Sequence, residues 1–466
     1  MSDLHYLDLL DLTRLIHRGE ITSVAATRHA LDRIASLDGV LHSYLTVTAE
    51  SALTAAAAAD AEIMRGVIRG PLHGAPIAVK DLCWTADAPT SAGMLILKDF
   101  RPPEDATVVR RLRNAGAVIL GKLAMTEGAY TDHHPSFATP LNPFGAAHWV
   151  GSSSSGSGVA TAAGLCHGAL GSDTGGSIRF PSAAQGLTGL KGTWGRVSRY
   201  GVFDLGPTLD HVGPMTRSAL DAAAMLGAIA GADPHDPTAA DEPVPDYLAT
   251  ARDGIAGLRI GIDSAWITEG VDEETGAVMA AARAALADLG ATLVEIRVPD
   301  TAEMVRDWFP LCAVEVAVAH QDTYPARKAD YGPSLAELIE QGHAVSGLDY
   351  QRIVLRRLAF TGRMRALFRA IDLLLVPVQS LAAPTLDFLG RFGGNESVLH
   401  GMLKFTCPFD MSGQPTITIP GGITQGGMPI GFQLAATHWQ EALLLRAATA
   451  FQSITDWHRR HPPALP

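Results

Sequence analysis

The stretch Gly151–Pro181, GSSSSGSGVATAAGLCHGALGSDTGGSIRFP, decides how the chain is read. It holds two clusters of glycine and hydroxyl-bearing residues, Gly151–Gly158 and Gly171–Ser177, on either side of the apolar span Val159–Leu170. Glycine admits positive φ and close backbone approach, so N–H groups can be turned into a site. Two such turns flanking one buried element, helical or strand-like, read as a reaction centre where serine oxygens and backbone donors face each other. The plain alternative is a flexible Gly/Ser linker. Linkers are not interleaved with Ala/Val/Leu spans or followed by Ile178-Arg179-Phe180-Pro181, and that alternative is set aside.

Upstream, residues 4–36 carry Leu and Ile at three-to-four spacing, which predicts two amphipathic helices, the second opening at Thr22-Ser23. Leu41–Val47 reads as a short strand, alanine-rich Ser51–Met64 as a helix, and Ile77–Val79 as a strand ending at Lys80-Asp81. Thr107–Asn114 reads as a helix and Val118–Leu120 as a strand. Downstream, Gly189–Gly201 and Gly206–Gly213 read as glycine-punctuated turns, Ala219–Ala230 as a helix and Ala232–Asp246 as a solvated loop. Leu258–Ile262, Glu273–Leu289 and Thr292–Ile296 have strand–helix–strand spacing. Residues 303–370 are mostly helical; Leu373–Val376, Thr416–Ile419 and Ile430–Leu434 return to strand, and Glu441–Ile454 closes as a helix. No repeat and no composition shift marks a boundary. The expectation is one α/β domain over residues 1–466, with a central mixed sheet covered by helices on both faces.

Bulk properties narrow the function. With 47% hydrophobic and 18% charged residues, the 466-residue chain has a sizeable core. A net charge of −12 without any Lys/Arg-rich run argues against a nucleic-acid partner. Cys83, Cys166, Cys312 and Cys407 are far apart, which excludes a CxxC redox or zinc motif and suggests reduced thiols. Asp3, Asp8 and Asp11 stand where a secretory signal would be basic, and the longest apolar runs fall short of a membrane span. A soluble, cytoplasmic protein without cofactor or metal is expected, as monomer or homodimer. Several chemistries fail on inspection: there is no GxSxG, no SxxK and no Walker loop. Asp173-Thr174-Gly175 formally suggests an aspartic protease, but no second such tripeptide supplies its partner carboxylate.

The central stretch, with upstream Val79-Lys80-Asp81, closely resembles the amidase signature family. The resemblance continues through Gly195-Arg196-Val197-Ser198 and Leu209-Asp210-His211-Val212-Gly213-Pro214. It returns at Ser412-Gly413-Gln414-Pro415 and Gly431-Phe432-Gln433-Leu434, covering essentially the whole chain. It implies a Ser–cis-Ser–Lys hydrolase with Ser177 as nucleophile, Ser153 as cis-serine and Lys80 as base. It also implies a signature core at about 70–215 and a variable, substrate-shaping region at about 303–400.

The residue types suit that chemistry. A serine hydroxyl needs an adjacent base, and lysine serves only when burial lowers its pKa from about 10.4 towards roughly 7–8. Lys80 follows an apolar run, so it emerges from a buried strand end. The N–H groups of Thr174, Gly175, Gly176 and Ser177 form the expected oxyanion hole. Ser172 and Asp173 are read as orienting the loop, Arg179 as holding the turn through a carboxylate or carbonyls, and Ser154 as scaffold. Gly128, Ala129 and Tyr130 are read as pocket wall, and His133, His134 and His211 as without a catalytic or metal role.

Three departures from the family pattern leave every reactant in place: Ser152 after Gly151, Leu82 after Lys80-Asp81, and Gly421-Gly422 after Pro420. The glutamine-hydrolysing subunit of transfer-RNA amidotransferases places an acid just before its Phe-Thr-x-Pro segment. Here Leu403-Lys404 precede Phe405-Thr406-Cys407-Pro408, which favours a stand-alone amidase. Trp308, Phe309, Tyr324, Tyr331, Phe360 and Phe368 supply aromatic surface for an apolar pocket. The expected substrates are small uncharged or aromatic amides, with esters and carbamates (urethanes) permitted.

Overall fold

The structure, a computed structural model, describes residues 4–463. Its organising layer is one sheet of 11 strands. In chain order these are β1 (Tyr44–Val47), β2 (Pro76–Lys80), β3 (Val118–Leu123), β4 (Gly168–Asp173), β5 (Thr188–Lys191), β6 (His211–Thr216), β7 (Arg259–Ile262), β8 (Thr292–Glu295), β9 (Leu373–Pro377), β10 (Thr416–Ile423) and β11 (Pro429–Ala436). Across the sheet they run β1-β3-β2-β4-β6-β5-β10-β11-β9-β7-β8. β2 is parallel to β3 and β4, and β7 is parallel to β8 and β9, while β6, β5, β10 and β11 join antiparallel. The sheet is therefore mixed.

Successive side chains on a strand face opposite ways, and this alternation builds two cores. Ala78, Val118, Leu120 and Ala169 pack with Ile34, Ala52, Ala56 and Val159 from helices Ser23–Leu41, Ala49–Met64 and Ser155–Ala162. Ile77, Val79, Ile119 and Leu170 belong to the larger core, with Leu226, Leu444 and Phe451 from helices Ala219–Ile229 and Glu441–Ile454. Helices thus cover both faces of one central sheet, as expected. Local signals set their ends: Thr22 and Ser218 accept the N–H groups of Ala25 and Asp221. No helix among the described residues is long and apolar enough to cross a membrane.

Three expectations need correction. The span Val159–Leu170 is not one element: its first part ends the helix Ser155–Ala162, the chain turns, and β4 begins at Gly168. The glycine-rich segments after Gly189 and before Gly213 are partly strand, in β5 and β6. Gly213 is there for close packing, since a Cβ would stand 2.1 Å from the Leu190 carbonyl oxygen of the neighbouring strand pair. The 232–246 segment is pinned at its start, because buried Asp233 accepts from Ser198 Oγ (2.6 Å) and buried Asp236 from the Arg199 N–H (2.7 Å).

Candidate active site

Lys80 is the last residue of β2 and follows three fully buried apolar residues, so its stem has no route to solvent. Its Nζ donates to Ser153 Oγ at 2.7 Å and to Ser172 Oγ at 2.8 Å. Burial pulls its pKa down from 10.5 to about 7, against the opposing pull of Cys83, Asp173 and Asp210. The ammonium and amine forms are therefore both accessible near neutrality.

Ser153 follows a cis Ser152–Ser153 peptide and precedes the helix Ser155–Ala162. Ser154 fastens this turn to the end of β4: its Oγ donates to the Ser172 carbonyl (3.1 Å) and accepts the Ser172 N–H (3.2 Å). Its own N–H donates to the Ser177 carbonyl at 3.3 Å, so the two glycine/serine clusters meet. Ser177 is half-buried amid buried neighbours, and its hydroxyl has no protein hydrogen-bond partner among the described residues. Ser172, expected to orient the loop, instead turns its hydroxyl to Lys80.

Asp173 is the residue that shapes the loop. Its carboxylate accepts the N–H groups of Gly176 (2.7 Å), Ile178 (3.0 Å) and Arg179 (3.3 Å), and is forked by Arg179 Nε (2.9 Å) and Nη2 (2.8 Å). Burial opposes its charge, yet the Arg179 guanidinium and these donors hold its pKa well below the ordinary carboxylate range. Arg179 reaches further, to the Thr406 carbonyl (2.8 Å) and to the carboxylate of Asp410, so it holds the turn through carboxylates and a carbonyl together. Behind it lie Lys191, donating to the Gln414 carbonyl (2.6 Å), and His211, whose Nε2 is 3.2 Å from Lys191 Nζ.

The expected oxyanion donors divide. Gly176 leaves the set, because its N–H is committed to Asp173 Oδ1. The N–H groups of Thr174, Gly175 and Ser177 have no protein acceptor among the described residues. Thr174 Oγ1 donates to Asp210 Oδ1 (2.6 Å), and Asp210 also takes the Leu205 and Gly206 N–H groups; burial raises its pKa to about 7.

Of the expected pocket wall, Ala129 shares a small space with Ser172, Phe203 and Leu205. Gly128 faces the helix Pro333–Ala344, where a Cβ would meet Leu335 at 2.9 Å, and Tyr130 is half-buried. Among the aromatic residues, Trp308 reaches the loop, donating from Nε1 to the Thr174 carbonyl at 2.8 Å. Phe360 and Phe368 are core residues rather than pocket lining, because the helix Gly347–Leu367 turns Phe360 inward. His133 Nε2 lies 2.9 Å from Ser155 Oγ, and His134 Nδ1 accepts the Ser136 N–H. Sequence reasoning did not find Thr406, Asp410 or Lys191. The only signal was for Thr406, in the Phe405-Thr406-Cys407-Pro408 segment, read there for substrate and not for loop support.

A family model described as Amidase matches residues 25–445. The chain belongs to the amidase family. This amidase is 50% identical over 458 residues to the Mycobacterium tuberculosis (strain ATCC 25618 / H37Rv) protein named "Putative amidase AmiD", across 98% of this chain and 96% of that one. It is 39% identical to one subunit of the glutamyl-tRNA(Gln) amidotransferase of Moorella thermoacetica, across 99% of each. Among solved structures it is similar to the native peptide amidase from Stenotrophomonas maltophilia, with a TM-score of 0.85 and 32% identity over 98% of both chains. The residue preceding the Phe405-Thr406 segment of the amidase, Lys404, donates to the Glu269 carbonyl at 2.7 Å.

Proposed function

We propose that this chain is a stand-alone amidase working through an acyl-enzyme, with Ser177 as nucleophile, Ser153 as proton relay and Lys80 as base. The observation that carries the reading is the 2.7 Å contact from Lys80 Nζ to Ser153 Oγ at a lysine whose pKa burial lowers to about 7. Ser177 Oγ attacks the carbonyl carbon while its proton passes to Ser153 and the Ser153 proton passes to neutral Lys80. The oxyanion forms against the open N–H groups of Thr174, Gly175 and Ser177. Collapse breaks the C–N bond, and the amine leaves with the proton returned from Lys80 through Ser153. Water then attacks the ester by the same relay, releasing the acid and free Ser177.

The substrates are small uncharged or aromatic amides, anilides included; esters and carbamates fit the same acyl transfer because the oxyanion is identical whichever atom leaves. Lys404 in place of an acid supports this preference over glutamine. The second reading, a glutamine-hydrolysing subunit of a transfer-RNA amidotransferase, is favoured by the 39% identity to one chain of such an enzyme. Hydrolysis of 4-nitroacetanilide, 4-nitrophenyl acetate and free glutamine by the parent, Ser177→Ala and Lys80→Ala separates them. Anilide turnover lost by several orders of magnitude in both variants supports the proposal. Turnover of glutamine alone would overturn the substrate class, and turnover surviving Ser177→Ala would overturn the nucleophile.

A further inference from the structure

The loop that carries Ser177 is held carbonyl by carbonyl. The Gly176 oxygen accepts the Phe180 N–H at 2.7 Å, the Gly175 oxygen accepts Thr406 Oγ1 at 2.6 Å, and the Thr174 oxygen accepts Trp308 Nε1 at 2.8 Å. A trans peptide is planar, and its N–H points away from its C=O, so fixing one edge aims the other. The Gly176–Ser177 plane is therefore aimed by Phe180 and the Thr174–Gly175 plane by Trp308. The plane between them is occupied at both edges, by Thr406 and Asp173. Of the three planes whose N–H edges remain open, these two are thus set from behind by a protein N–H, while the third, Asp173–Thr174, has its carbonyl oxygen 3.2 Å from His211 Nδ1.

Trp308 is the unusual member. Phe180 belongs to the same turn as Ser177, whereas Trp308 comes from the helix Ala302–Ala319, 134 residues from its partner. It is 6% exposed, and its indole also fills the space of the Gly175 side chain: a Cβ there would stand 2.8 Å from Cζ2 and 3.0 Å from Cε2. Ring and N–H thus act on the same peptide from two directions. The ring prevents Gly175 from shifting toward the helix, and the N–H prevents its plane from rotating.

We propose that Trp308 is a positioning residue for the oxyanion site, holding the Thr174 carbonyl so that the Gly175 N–H points at the oxygen that becomes charged. It has this role only if Ser177 is the nucleophile as proposed above. Removing a donor of this kind costs 10²–10³ in turnover in other enzymes, and mis-aiming one costs less, so the expected loss is about 10–30-fold. It falls on kcat, because the donor strengthens its bond only as charge develops.

The test compares the parent, Trp308→Phe and a protein with benzothienylalanine at 308, which exchanges the indole N–H for sulfur and keeps the ring. Turnover of 4-nitroacetanilide and inhibition by phenylboronic acid, which forms a tetrahedral adduct on serine, are measured alongside circular dichroism. The expected result is kcat lowered about 10–30-fold in both variants, KM within about twofold, and boronate affinity weakened by the same factor as kcat. A raised KM with kcat intact would overturn the proposal, leaving Trp308 as pocket wall, and so would unchanged boronate affinity. Should Trp308→Phe fail to fold, the benzothienylalanine protein decides. Ser177→Ala, run in parallel, separates the two levels. Activity surviving there removes the nucleophile, and this role with it. An inactive Ser177→Ala beside unaffected position-308 variants overturns the Trp308 role alone.

Discussion

If Lys80 is the base, its ammonium must lose a proton before Ser177 can be activated, and burial has already brought that pKa from 10.5 to about 7. The neutral fraction is then roughly one tenth at pH 6, one half at pH 7 and nine tenths at pH 8. For the neutral substrate 4-nitroacetanilide, kcat/KM should rise about tenfold from pH 6 to pH 8 and then flatten. The same proton governs stability. A lysine whose folded pKa lies below its unfolded value binds fewer protons folded than unfolded, so stability rises with pH between those two values. Below pH 7 the whole cost is present, about 5 kcal/mol for a shift of this size. Between pH 6 and pH 9 the parent should regain about 3 kcal/mol relative to Lys80→Met, which has no proton to bind at this position and cancels the titrations of groups that do not interact with Lys80. Urea unfolding of both proteins at pH 6, 7, 8 and 9 reads the difference directly. A rate profile still climbing past pH 9, or a stability difference that does not change with pH, would refute the reasoning.

Three further outcomes follow from the same geometry. Ser172→Ala removes one of the two oxygens that accept from the Lys80 ammonium, which should lower its pKa further and move the acid limb of the rate profile toward lower pH. An alkaline shift would show that Ser172 serves the amine instead. Arg179→Met leaves Asp173 and Asp410 buried without their shared cation, and urea unfolding should show a loss of about 3–5 kcal/mol; a loss under 1 kcal/mol would mean the network reorganises. Thr406→Val strips the buried Gly175 carbonyl of its donor and should cost about 1–3 kcal/mol in the same assay, with a smaller fall in kcat than Trp308→Phe, because the Gly176 N–H on that plane is already occupied.

Much of this was legible in the sequence, for reasons that differ by residue. The apolar run before Lys80 announced a buried strand end, and the lysine is fully buried there. The helix Thr107–Asn114 and the strand–helix–strand unit of β7, Glu273–Asp288 and β8 appear where their periodicity put them. Gly213 misled because a glycine wanted for close approach looks, in sequence, like one wanted for a turn. The apolar span Val159–Leu170 misled because full burial erases the polar face by which helix and strand are told apart. Gly176 could not be separated from its neighbours as a donor without knowing that Asp173 folds back to take its N–H. Trp308, Thr406 and Asp410 act on a loop more than a hundred residues away, and no local pattern encodes such a pairing.

The Asp410 and Thr406 contacts bear on how the molecule is made. Lys80, Ser153 and Ser177 are all synthesised before Thr406 and Asp410, the side chains that hold the Ser177 turn from 231 residues further along. At roughly 5–20 residues per second, that interval lasts on the order of 10–50 s. For its duration the nascent chain carries every reactive group of the proposed triad without the clamp behind it. β4 likewise waits for β10 and β11 to complete the sheet beyond β5. The clamp on the Ser177 loop therefore cannot close until the chain has been made through Asp410.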